Sequence, residues 1–134
     1  MSYDLLVYLG HESLPSAAAW QDAINSAAFS VALDKDFDPL VDAGFVPCQV
    51  NGRPGGFEYF LLELDAAERE EAGLAAGIDC CVHFAVHGDD DELRAALAAS
   101  STLAVIAGAF VEDPQEGERL AAGAALAWAR ARYP

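Results

Sequence analysis

Three residues of one short segment, Cys81, His83 and His87, are of the types that bind metal ions. If Ile78–His87 is a regular strand, all three lie on one face. The strand rise then places Cys81 and His83 about 6–7 Å apart, workable for two ligands of one zinc ion, and His87 about 13 Å from His83. That second span is too long unless the strand bends. No C-x-x-C or H-x-x-x-H pattern supplies the remaining ligands of a closed zinc site. The same residues can be arranged as a nucleophile and a base, with Cys48 or Cys81 attacking and His11, His83 or His87 accepting the proton. An activated thiol needs a helix N-terminus or neighbouring cations. The surroundings here are acidic, which raises thiol pKa values instead. Cys80 and Cys48 therefore read as small buried hydrophobes.

Glu58 is the third chemical candidate. It lies between Phe57 and Tyr59 in an apolar segment. A carboxylate in such a place must be paired or hydrogen-bonded. Arg53 and the hairpin backbone are candidate partners, and a general acid is the functional alternative. Asn51–Gly56 (NGRPGG) lacks the spacing, lysine and following helix of a phosphate loop, and reads as a hairpin turn. No cofactor motif is present, and no cofactor is expected.

Charge narrows the partners. Seven basic residues stand against 22 acidic ones, a formal net charge of −15. Such a surface repels nucleic acid and anionic membranes and favours basic protein partners. Hydrophobic residues make up 54% of the 134 positions, which excludes disorder and fits a single domain over residues 1–134. An odd cysteine count with an adjacent pair, Cys80-Cys81, argues against a disulfide framework. With no charged start ahead of an apolar run, no signal peptide is expected, and a cytoplasmic location is the expectation.

The elements that must position these residues follow from periodicity. Tyr3–Leu9 reads as a central strand and Pro15 to about Ala28 as a helix burying Trp20, Ala23, Ile24 and Ala27, with Ser13 or Ser16 as cap. Phe29–Leu33, Phe45–Val50 and Phe57–Leu64 read as strands, with Pro47 indicating an edge or a bulge. Asp65–Gly77 is predicted to hold a short helix with an Asp65–Glu68 capping box. Ile78–His87 is a strand with Ile78, Cys80, Val82, Phe84 and Val86 on one face and Asp79, Cys81, His83, Ala85 and His87 on the other. A helix opens at Asp89–Glu92, with Leu93, Ala96, Leu97, Ser100 and Ala104 as its inward stripe, and Gly108 ends it. Phe110–Glu112 is a strand and Gly117–Tyr133 the last helix. The class expected is α+β, with a mixed or mostly antiparallel sheet of about five to six strands and helices mainly on one face.

Three stretches carry a resemblance. They are Tyr8–Ile24, Phe37–Leu61 (with Gly56-Phe57-Glu58 after the hairpin) and Ala95–Gly117 (with Asp113-Pro114-Gln115-Glu116-Gly117 after an Ala-rich helix). Together they resemble small acidic bacterial proteins, some of which look like immunity proteins made beside secreted toxins. The resemblance implies a non-enzymatic protein that binds a basic toxin, and it brings no catalytic residues. Glu58, Tyr59, Asp89, Asp90, Asp91 and Glu112 are the expected anchors for such a partner. Two alternatives remain open: a small metal- or thiol-dependent hydrolase using Cys81, His83, His87 or Glu58, and a scaffold or homo-oligomeric subunit joined through an exposed sheet edge or the last helix, which an apolar patch around Trp128 and Tyr133 would support.

Overall fold

The first strand, β1 (Tyr3–Leu9), buries Leu5, Val7 and Leu9 on one face and turns Asp4, Leu6 and Tyr8 to the other. The structure, a computed structural model, describes residues 2–134. Helix α1 (Ala17–Ser26) begins after Ser16, whose hydroxyl accepts from the Ala19 N–H. Pro15 therefore lies outside the helix and not in its first turn. Ser16 satisfies an amide that would otherwise lack a partner, and this sets the start. At the other end Ala28 adopts a left-handed φ of 63°. The amides of Ala28 and Phe29 bond back to the carbonyls of Asn25 and Ile24. This is a Schellman closure. Because Phe29 gives its amide to the helix end, β2 is only Val31–Leu33, shorter than the sequence pattern suggests.

Strands β3 (Gly44–Val50) and β4 (Arg53–Glu63) form the central hairpin. Its turn is just Asn51-Gly52, with φ of 52° and 77°. Positive φ at both central residues matches the twist of the flanking strands. The rest of NGRPGG is strand, with Gly56 opposite Pro47. Pro47 is thus inside a strand that is paired on both sides. Its carbonyl accepts from Asp34, just past the end of β2, so its missing N–H falls where that neighbour runs out.

Helix α2 (Ala66–Glu71) carries the expected reciprocal Asp65–Glu68 cap. Strand β5 (Cys80–Val86) follows, with the predicted two faces. Helix α3 (Asp90–Ile106) differs from the one-stripe expectation, because every residue from Ala95 to Ala104 is buried. It packs on the sheet and against both α1 and α4 (Ala122–Arg132), so the stretch Ala95–Ala104 has no wet side. Its small side chains permit the close approach. Ser100, Ser101 and Thr102 return their hydroxyls to carbonyls three and four residues back.

The expected final helix from Gly117 is corrected: Glu118–Ala121 forms strand β7, paired with β6 (Gly108–Asp113), and α4 begins only afterwards. The Asp113 carboxylate accepts from the Gln115 side chain and the Glu116 N–H, closing the turn that returns the chain to β6. The sheet has seven strands in the order β2-β3-β4-β5-β1-β6-β7, every neighbouring pair antiparallel. Strands β5 and β6 flank β1 and run parallel to each other, with α3 crossing between them. Helices α1, α3 and α4 all pack against the face that holds Leu5, Val7, Phe57, Val82 and Phe84. Trp20 anchors this core, its indole N–H donating to the Ala99 carbonyl (3.1 Å) and the Thr102 hydroxyl (3.2 Å). The architecture is therefore α+β with the helices on one side. The sheet's other face is left largely open.

Candidate partner-binding surface

Strand register decides what meets on the open face. Ala85 of β5 lies opposite Asp4 of β1 and Glu58 of β4, with His83 two residues before it on β5 and His87 two residues after it, just past the strand's end. Two carboxylates and two imidazoles thus surround one methyl group. They settle as two pairs: His83 Nε2 to Asp4 at 2.9 Å and His87 Nε2 to Glu58 at 2.5 Å. One row away, Phe60 lies opposite His83, with ring centroids 6.0 Å apart. Phe45 lies opposite Glu58 and is 56% exposed. It needs Gly56 beside it, because a Cβ there would lie 2.6 Å from its ring and 2.4 Å from the Val46 carbonyl.

At the β6 side of the face, Glu112 accepts from the Tyr8 hydroxyl (3.2 Å) and from Arg119 Nε (3.0 Å). The Arg119 guanidinium sits 4.6 Å from the Phe110 ring centre and 6.0 Å from that of Tyr8. It also donates to the Ala72 carbonyl just past α2. Burial, then the neighbouring Cys81 and Glu112, push the Tyr8 hydroxyl up to about 12.

The candidate metal set does share a face, as the strand pattern requires, but it does not converge. Each imidazole is taken by a carboxylate, and Cys81 is buried. Among the described residues no group of three or more His, Cys, Asp or Glu is placed to hold an ion. The thiols are equally quiet. Burial pushes Cys48, Cys80 and Cys81 up to about 12, with acidic neighbours Asp34, Asp79 and Glu112 adding to the respective shifts. Such thiols are poor nucleophiles.

The six expected anchors separate into three places. Glu58 and Glu112 are on the open face, and Glu58 takes His87 as partner in place of Arg53. Asp89, Asp90 and Asp91 stand at the start of α3. Asp89 caps the helix by accepting from the amides of Asp91 and Glu92. Asp91 binds Arg53 through two bonds of 2.9 and 3.0 Å and Arg94 through one of 2.7 Å, and these arginines hold its carboxyl at about 2. Tyr59 is corrected: it is fully buried, its hydroxyl donating to the Pro39 carbonyl at 2.7 Å. Strand alternation puts Phe57 and Tyr59 inward when Glu58 faces out. Asp89 and Asp90 also line a cleft of about 530 Å³, together with Tyr3, Val86, Leu93 and Glu116. Trp128 and Tyr133 form no exposed patch. Trp128 is buried, and Tyr133 packs on Phe29 at 5.5 Å.

Asp4, Tyr8, Phe60, Phe110 and Arg119 were not singled out from the sequence. Only cross-strand register unites them, and the sequence pattern over β7, which carries Arg119, suggests helix. No helix among the described residues is long and apolar enough to cross a membrane. No family model, curated protein or solved structure matches this chain.

Proposed function

We propose that this chain is a non-enzymatic binding protein for a basic protein partner, with an immunity protein that covers the active site of a basic bacterial toxin as the best-fitting case. One observation carries the reading. All six arginines already bond to carboxylates or backbone carbonyls of the same chain. Among the described residues most of the acidic side chains therefore have no internal cation, and the net charge of −15 is presented outward. A field of that sign raises the encounter rate with cationic proteins and disfavours anionic ones. The quiet thiols and the separate histidine pairs support binding over catalysis.

The test is a pull-down with the tagged chain against the products of neighbouring genes, at low and high salt. A basic protein retained at low salt and weakened at high salt is the expected result. No basic partner at either ionic strength would count decisively against the reading.

A further inference from the structure

The open sheet face holds an intramolecular example of what it can bind. Arg119 donates to Glu112 while its guanidinium lies over Phe110 and Tyr8. Carboxylate and aromatic ring together make an arginine site, since the planar cation can stack and hydrogen-bond at once. The same two ingredients recur across the sheet. Glu58 and Asp4 flank Ala85, and Phe45 and Phe60 lie on the same face beside them. In this second place no guanidinium is present, and the carboxylates are held by His87 and His83. Both pairs are accessible, with side chains 30–55% exposed, so an incoming group can replace the imidazoles without unfolding anything.

We propose that this half of the face is the docking surface for the basic partner, and that it receives arginine side chains which stack on Phe45 and Phe60 and take Glu58 and Asp4 from the histidines. The inference rests on the binding function proposed above and adds its location and its preferred cation. Charge complementarity chooses the occupant. The face carries Asp4, Glu58 and Glu112 against one guanidinium, which is already in use. Arginine is favoured over lysine because an ammonium is a point charge that cannot stack flat on a ring.

The experiment titrates the intact protein with two synthetic peptides of identical spacing, one Arg-Gly alternating and one Lys-Gly alternating. Phe45→Ala, Glu58→Gln and Asp22→Asn are compared with the parent chain. Asp22 is an exposed carboxylate of α1, on the helix side, and its replacement removes the same charge as Glu58→Gln. The arginine peptide is expected to bind about three- to tenfold tighter than the lysine peptide. Phe45→Ala and Glu58→Gln are expected to erase that preference, and Asp22→Asn to leave it intact. Equal binding of both peptides, with Glu58→Gln and Asp22→Asn equivalent, would overturn the location and leave charge-driven binding standing. No binding of either peptide would overturn location and binding function together.

Discussion

The carboxylate of Glu58 and the imidazole of His87 meet at 2.5 Å across two neighbouring strands, on the face of the sheet that no long helix covers. The side chains are 35% and 55% exposed, so water competes for both. Exposed ion pairs of this kind contribute about 0–1 kcal/mol. Glu58→Gln and His87→Gln should each leave the denaturation midpoint nearly unchanged. A chemical-denaturation series checks this, and a large loss from either variant would mean the pair holds the fold.

The three thiols give a second outcome. Cys48, Cys80 and Cys81 are buried and pushed up to about 12. At pH 8 a thiol-specific chromogenic reagent should find almost no reactive group in the native chain, and three per chain in denaturant. Rapid native labelling of Cys81 would reopen thiol chemistry.

Asp91 sets an acid limit. Its hydrogen bonds to Arg53 and Arg94 lower it from an ordinary 3.8 to about 2. A depressed carboxylate stabilises the fold above its unfolded pKa and loses that contribution as pH falls towards the folded one. Asp91→Asn should therefore lower the melting temperature at neutral pH. The gap between variant and parent should close between pH 4 and 2. A gap independent of pH would show that the effect is not ionic.

Ala28 stands where a helix end prefers glycine. Its φ of 63° is costly for a residue with a Cβ, by about 1 kcal/mol. Ala28→Gly should raise stability by about that amount, less the extra freedom glycine has when unfolded. Thermal melts decide it, and a clear loss of stability would contradict the assigned conformation.

Gln115 extends the β1–β6 ladder with its side chain. Its carboxamide accepts from the Asp4 N–H at 2.7 Å and donates to the Asp4 carbonyl at 2.8 Å, just past Asp113-Pro114. Gln115→Ala should cost about 1–2 kcal/mol and speed hydrogen exchange at the Asp4 amide. Gln115→Glu should do at least as badly, because a carboxylate cannot donate to that carbonyl and would face Asp113.

Local patterns in the sequence sufficed for much of the fold. An apolar run rich in strand formers places β1, and two-residue alternation places β5 and both faces of Cys80–Val86. The Asp65–Glu68 box marked α2, and Asp89 marked α3. What failed was non-local. Glu118–Ala121 has no β-branched residue, and only the free edge of β6 makes it a strand. The all-round burial of α3 depends on α1 and α4 closing over it, which an alanine stripe cannot announce. The site was half legible. Glu58, His83 and His87 stood out by type, but their partners were fixed by register between strands far apart in the chain.

The interior of α3 has a consequence for how such a chain can change over time. From Ala95 to Ala104 almost every position is small and enclosed, so enlarging a side chain there forces its neighbours apart. Phe45 and Leu62, by contrast, have little above them to displace. Side-chain replacement is thereby resisted within the scaffold and tolerated on one outward surface.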